Sequence, residues 1–555
     1  MKALHLSNRF AWSLFAVFTI VSLYLLGIRT LVPPDEGRYA EMAREMYISG
    51  DWVTTRLNGI KYFEKPPLQT WMNALSFALF GLGDWQARLW TGVCGIGGVA
   101  LTGYSGTKVF GKRIGFYAAL VLGSCFYWAA WSQIDSLDMG LSGMMTLSLC
   151  ALLLAQRDGA SDSERRNWML ACWAGMALAV LAKGLIGLVL PGGVLVAYTV
   201  ITRDWKLWTR LHLVKGVLLF FAIAAPWFVL VGIRNPEQPH FFFVHEHWDR
   251  FFLKEHHREQ AWYVFFVLVA VGIVPWIGVL LQSVALGMKR EASRFRPRLM
   301  ALVWAAFIIL FFTKSNSKLP GYILPVFPAL ALLVASYLEH GTRASRMVAA
   351  ILLSLVGVAL LATVPFISKM AGQAGEHALY QALQPWVLAA GFVALVGGGL
   401  AFIYAFQMQR DLFVVVLAIA GFSTTAIILA GSEPLGRGRA GASLVPAIRA
   451  ELKPDTKIYS VGMYEQSLTF YLGRTVTLVD YRDEFTFGLQ QQPELGIPTV
   501  EKFVEQWTRD AGEGVRDVAI VRADIVKDLQ QKGVPVRVVV RDSRRTVIAN
   551  DIKQP

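Results

Sequence analysis

Two short runs near the start of the chain combine carboxylates, cations and phenols as a reacting centre would. The first reads Val32-Pro33-Pro34-Asp35-Glu36-Gly37-Arg38-Tyr39-Ala40-Glu41, and the second Tyr62-Phe63-Glu64-Lys65-Pro66-Pro67-Leu68. A carboxylate such as Asp35 takes the proton of a hydroxyl acceptor as a general base. With an acceptor that is already anionic it aligns the reactants instead. Lys65 and Arg38 supply positive charge for a departing anion, most effectively where water is excluded. Plainer readings exist: Asp35 sits where a helix cap belongs, and a lysine near a helix end commonly snorkels to lipid headgroups. The two runs together favour chemistry, because charges this close to a bilayer need a reason.

Later segments add candidates. Gln133-Ile134-Asp135-Ser136-Leu137-Asp138 carries a second acidic pair. The string from His240 to Phe251 alternates imidazoles with carboxylates and carries Arg250 just before its end. His245 with Glu64 of the first loop is the pair suited to a divalent ion, Zn or Mg/Mn, although the spacing fits no closed structural zinc motif. An interfacial aromatic helix with solvated histidines accounts for the same string. Lys314 to Pro325 brings Lys318 and Tyr322 to a membrane face, where they suit a phosphate headgroup or ordinary interface anchoring. Lys183 interrupts apolar sequence on both sides, and so lies at a helix end or inside a cavity.

These residues need a scaffold, and composition says of what kind. Of 555 residues, 55% are hydrophobic and 17% charged, with a mean hydropathy of +0.46, too apolar for an ordinary soluble enzyme. Apolar runs predict an all-α membrane bundle of about thirteen spans. They begin near Arg9, Trp85, Ile114, Leu137, Trp168, Gly184, Leu211, Trp262, Leu299, Tyr322, Met347, Trp386 and Leu412. Basic residues such as Lys112, Arg113, Arg165, Arg166, Arg343 and Arg410 gather in the loops on the side of the N-terminus, which the positive-inside rule makes cytoplasmic. The first span reads as a retained helix rather than a cleaved leader. The longer loops then face outward: 29–84, 131–136, 233–261, 313–321, 368–385 and everything after Gly431.

The chain thus divides into a transmembrane domain, 1–431, whose first outward loop (30–84) carries the main motifs, and an outward α/β domain, 432–555. Strand-like runs at Lys457 to Val461, Val518 to Val521 and Val536 to Val540 alternate there with helical patterns. Cys94, Cys125, Cys150 and Cys172 all fall in expected spans, so no disulfide framework is expected. The net charge of +14 belongs mostly to the membrane part and implies anionic lipid contact rather than nucleic acid. No half-repeat marks a transporter.

The pairing of Pro34-Asp35-Glu36-Gly37-Arg38-Tyr39-Ala40-Glu41 with Gly50-Asp51-Trp52 and Tyr62-Phe63-Glu64-Lys65-Pro66-Pro67-Leu68 resembles polyprenyl-phosphate-dependent glycosyltransferases of the GT-C type. Within that group it is most similar to the lipid A 4-amino-4-deoxy-L-arabinose transferase family, related to protein O-mannosyltransferases. The resemblance implies that Asp35 is the reacting-centre carboxylate, that Glu64 and Lys65 form the second acid-base pair of the loop, and that Asp135 or Asp138 supplies the second acidic motif. Arg38, Tyr39, Tyr62, Lys65, Arg250, Lys318 and Tyr322 are then the substrate-binding set. It further implies an inverting transfer of the aminosugar from undecaprenyl phosphate to a lipid A phosphate, by a monomer of the bacterial inner membrane, on the periplasmic side. The added positive charge would weaken binding of cationic peptides such as polymyxin. A protein or glycan transferase using another polyprenyl-linked sugar is the alternative, and a lipid-linked sugar transporter a more distant one.

Overall fold

The first apolar helix closes in tight turns at Leu26 to Ile28, and Pro33 and Pro34, which offer no backbone N–H, keep a helix from resuming before Asp35. In the computed structural model, which describes residues 8–242, 260–372 and 374–550, α1 (Asn8–Leu25) ends before them and α2 (Asp35–Ser49) begins after them. Asp35 and Glu36 fill the first turn of α2, where the positive end of the helix favours carboxylates. Asp35 is not the cap: Pro34 holds that position without a side-chain bond, which leaves the Asp35 carboxylate for other partners. Gly50 closes the helix in the left-handed conformation, φ 70°. A two-stranded hairpin, β1 (Arg56–Leu57) with β2 (Ile60–Lys61), leads to α3 (Leu68–Phe80). α3 buries Gln69, Asn73 and Phe77 and exposes Leu75, Leu79 and Phe80, the pattern of a helix lying in the membrane interface.

Among the described residues, eight helices are long and apolar enough to cross a membrane, and a pair bent by 108°, Val264–Gly272 with Trp276–Gly287, makes a ninth. They include α7 (Leu137–Gln156) and α10 (Leu213–Arg234). The spans expected near Trp85, Ile114, Trp168 and Gly184 fall on α4 (Asp84–Phe110), on α5 (Lys112–Ser124) with α6 (Phe126–Trp131), on α8 (Asp162–Lys183) and on α9 (Ile186–Thr202). The first is rich in glycine, the second is broken at Cys125, the third opens on a polar turn and the fourth is short; we propose them as further crossings. A Ser161–Glu164 capping box fixes the start of α8, and its last residue is Lys183. The outward loop expected over 368–385 is shorter than anticipated. Helix His377–Phe406 begins before Trp386 and carries Pro385 inside it, which membrane helices tolerate when neighbours re-satisfy the freed carbonyl. The four cysteines are buried and free.

Beyond Gly431 the chain builds a six-stranded mixed sheet in the order β5-β4-β3-β6-β8-β7. Its strands are β3 (Lys457–Val461), β4 (Thr477–Val479), β5 (Gly496–Ile497), β6 (Asp517–Val521), β7 (Val536–Arg541) and β8 (Thr546–Asn550). β3 runs parallel to β4 and β6, and β4 to β5, whereas β8 is antiparallel to β6 and β7. Parallel neighbours need crossovers, supplied by helices Gln466–Leu472 and Val500–Gly512. Alternate side chains serve opposite faces. Tyr459, Val461, Ala519 and Val521 pack on Phe503 and Trp507. Ile458, Leu478, Val518 and Ile520 join Tyr39, Leu57, Ile60, Tyr62 and Leu137 in one core, so this face of the sheet is continuous with the segment between α1 and α4.

Polar contacts fix that junction. Asn58 donates to the Val476 carbonyl and accepts from the Val476 N–H, both at 2.7 Å. The backbone N–H and hydroxyl of Thr30 donate to Glu433 at 2.6 and 2.9 Å, and the Tyr471 hydroxyl donates to Asp84 at 2.7 Å. Gly37 lies against helix Gln466–Leu472, where an added Cβ would come within 2.4 Å of the Ser467 nitrogen.

Candidate active site

Where the first loop meets the C-terminal domain there is a cavity of about 1000 Å³. The start of α2 contributes Asp35, Arg38 and Tyr39 to its wall; the Pro66-Pro67 turn contributes Glu64 and Lys65; the start of α7, Asp138; the end of α8, Lys183; and the short helix at 320–326, Tyr322. Glu237, His240 and Phe241 add a further side, and Asp483, Glu484, Thr486, Phe487 and Gln490 form a roof.

Cations and carboxylates alternate around this space. Arg38 donates to Asp35 at 2.9 Å and to Glu484 at 2.7 Å, which ties the acid of the first motif to the roof. Burial works against the Arg38 charge, but Tyr62 and Glu484 more than offset it and hold the guanidinium protonated. Burial pushes the Glu484 carboxyl up, and Arg38 draws it only partly back. Asp35 keeps 53% of its side chain exposed, so one face of the carboxylate remains open to an incoming group. Lys65 donates to the Glu64 carbonyl at 2.7 Å. Lys183 donates to Asp138 and stands 4.7 Å from the centre of the Tyr322 ring. A Cβ at Gly321 would meet the Asp138 carboxylate at 2.3 Å, so only glycine lets that backbone approach so closely. Phe487 of the roof stacks on Phe241 with ring centres 4.0 Å apart, and Lys61 pairs with Glu237 at 2.7 Å.

Of the residues expected from sequence, Asp35, Arg38, Tyr39, Glu64, Lys65, Asp138 and Tyr322 line the cavity. Asp135, Tyr62 and Lys318 are not among its lining. Asp135 is fully buried and accepts from Gln69 at 2.8 Å and Asn73 at 2.9 Å, and burial raises its pKa well above the ordinary carboxylate value. Through these two bonds it ties the turn before α7 to α3. Tyr62 belongs to the shared core, 3% exposed. His245 and Arg250 lie outside the described residues. Among the described residues no three His, Cys, Asp or Glu side chains converge as metal ligands would. Glu64 alone does not make a metal site.

Behind the cavity lies an ion pair that motif reading passed over. Glu36, buried, accepts from Arg88 at 2.6 and 2.9 Å, from the Val32 N–H at 2.9 Å and from the Asp135 N–H at 3.0 Å. Burial alone would raise the Glu36 carboxyl, yet Arg88 brings it below its ordinary value. Arg88 also donates to the carbonyls of Leu26, Arg29 and Thr30. This one ion pair therefore joins α4, the end of α1, the start of α2 and, through Glu36, the turn before α7.

Residues 444–550 match the family model described as the aminoarabinose transferase C-terminal domain, and residues 64–230 match the dolichyl-phosphate-mannose-protein mannosyltransferase model. The undecaprenyl phosphate-α-4-amino-4-deoxy-L-arabinose arabinosyl transferase of Aeromonas hydrophila is 30% identical over 420 residues, 72% of this chain and 73% of that one. The chain belongs to this arabinosyl transferase family. Arabinosyl transferase 1 of Proteus mirabilis is 32% identical over a stretch covering 60% of either chain. The crystal structure of ArnT from Cupriavidus metallidurans bound to undecaprenyl phosphate superposes with a TM-score of 0.92 at 39% identity, covering 99% of this chain and 100% of that one. An Archaeoglobus fulgidus oligosaccharyltransferase, 10% identical with a TM-score of 0.51, shares the fold alone.

In this chain the roof is what the sequence concealed. Asp483, Glu484 and Phe487 sit in a stretch that looks like any acidic surface loop, and Arg38 lies 446 residues from Glu484. The usable signal was Lys183, a charge between apolar runs, which proves to be both at a helix end and in the cavity.

Proposed function

We propose that the chain moves 4-amino-4-deoxy-L-arabinose from undecaprenyl phosphate to a phosphate of lipid A, with inversion, on the periplasmic side of the inner membrane. The observation that carries this reading is the roofed cavity itself, which sets the carboxylates of Asp35, Glu64 and Asp138 among the cations of Arg38, Lys65 and Lys183. The near-complete superposition on a relative crystallised with undecaprenyl phosphate supports it.

In the proposed step the bond from the sugar anomeric carbon to the carrier phosphate breaks, and its electron pair leaves on that phosphate. An acceptor phosphate oxygen forms the new bond from the opposite face. The acceptor brings no proton that must be removed, so Asp35 aligns the sugar and Arg38 rather than acting as a base. Preorganised Lys65 and Lys183 stabilise the charge that grows on the carrier phosphate. A cationic sugar on lipid A lowers its attraction for cationic peptides such as polymyxin.

Mass spectrometry of lipid A from a transferase-deletion strain complemented with this gene tests the reading. A pentosamine-sized mass gain that disappears with Asp35→Ala is expected. Unmodified lipid A from well-expressed wild type would move the reaction to protein or glycan acceptors, for which Asp35 would have to serve as base. A divalent ion held by Glu64 with His245 remains our proposal: dialysis against EDTA should then reduce transfer, with Zn, Mg or Mn restoring it, and undiminished transfer would dismiss it.

A further inference from the structure

A second cleft, of about 420 Å³, opens between the C-terminal half of α2 and the loop after helix Gln466–Leu472. Arg44, Glu45, Ile48, Arg56 and Arg474 are in its wall. Glu45 stands seven residues past Arg38, two turns along the same face of α2, so cleft and cavity are strung on one helix roughly 10 Å apart. Buried Glu41 separates them and accepts from Arg44 at 2.6 and 2.7 Å.

The remaining guanidiniums of the cleft are oriented without being neutralised. Arg56 donates to the Gly59 carbonyl at 3.1 Å, and Arg474 to the carbonyls of Lys453 at 3.1 Å and Thr456 at 2.8 Å. Among the described residues no carboxylate forms an ion pair with either. Glu45 does not cancel them: one of its oxygens accepts from the Gly59 N–H at 2.8 Å, while the other is buried without a partner. Burial and neighbouring Glu41 push this carboxyl up to about 8, so at neutral pH it holds a proton to donate. Tyr47 and Ile48 are exposed beside the cleft, which gives a cationic pocket an apolar rim.

We propose that this cleft binds a second phosphate of the lipid acceptor, held by Arg56 and Arg474, while the first phosphate reacts in the main cavity. The inference rests on the acceptor reading above and narrows it to lipids with two phosphates a disaccharide apart. Inorganic phosphate shares the chemistry, so the test separates the two sources.

Full-length protein is assayed for transfer to bisphosphoryl and to monophosphoryl lipid A, as wild type and as Arg56→Gln and Arg474→Gln. Each variant should raise KM for the bisphosphoryl acceptor about tenfold, the worth of one charged hydrogen bond, while kcat and the monophosphoryl KM stay put. Equal effects on both acceptors, or none, would overturn the proposal. Direct binding of bisphosphoryl lipid A without donor is the independent arm. Tighter binding by wild type than by the variants supports the cleft even if wild type transfers to neither lipid, the result that would sink the acceptor reading alone. Equal lipid binding, with inorganic phosphate bound only by wild type, would assign the cleft to free phosphate and remove the lipid from it.

Discussion

Asp138 and Lys183 meet in the cavity from two different helices, and each depends on the other to be tolerated there. Asp138→Asn should therefore lower transfer by about 10²–10³-fold, the usual cost of one preorganised electrostatic group. Lys183→Met should do the same and the double variant little more, which steady-state kinetics with purified donor would show. Glu36 behaves differently, because it holds the frame. Glu36→Gln strips a buried guanidinium of its charged partner and should destabilise the protein by about 3–5 kcal/mol, read as a large fall in melting temperature in detergent. Asp35→Ala, at a half-exposed carboxylate, should leave the melting temperature near wild type while abolishing transfer. Asp35, Glu64 and Lys65 were legible in sequence because they lie in local strings beside prolines. Asp135 and Asp138 were not separable, since both flank one helix start and only burial tells them apart.

The second helix acts as a ruler, with Arg38 at the cavity, buried Glu41 between, and Arg44 and Glu45 at the second cleft. Its position depends on the close approach of Gly37 to helix Gln466–Leu472. Gly37→Ala should force the two helices apart at a cost of about 1–3 kcal/mol, typical of overpacking. Faster proteolysis within the C-terminal domain, together with reduced transfer, is the expected signature; unchanged cleavage would mean the junction is softer than drawn. Strands β3, β6 and β7 and helices Val500–Gly512 and Ala523–Gln531 could be read from their apolar periodicity. β4 and β5 could not, because strands of three and two residues carry too little alternation to register. Nor could any pattern reveal that one face of the sheet packs against residues 39–62, for that contact is set by long-range docking alone.

At the scale of the whole molecule, the C-terminal domain stores a charge conflict. Burial, then the neighbouring Asp510, pushes Asp517 from its ordinary 3.8 up to about 7. A carboxyl raised on folding binds its proton more tightly in the native state, so its contribution is fully present below about pH 4 and is lost as pH rises through 7. Asp517→Asn should accordingly raise the melting temperature at pH 8, with the gain shrinking as pH falls to 5. A gain independent of pH would show that the conflict is not electrostatic.

The roof has a kinetic consequence. Glu484 and Phe487 close the cavity on the side of the C-terminal domain, so on the function proposed above a lipid-borne substrate would reach it sideways, by sliding within its leaflet. Encounter is then two-dimensional: the rate follows the mole fraction of donor and acceptor among the surrounding lipids, not their bulk concentration, and diluting the bilayer with inert phospholipid slows turnover at constant total substrate.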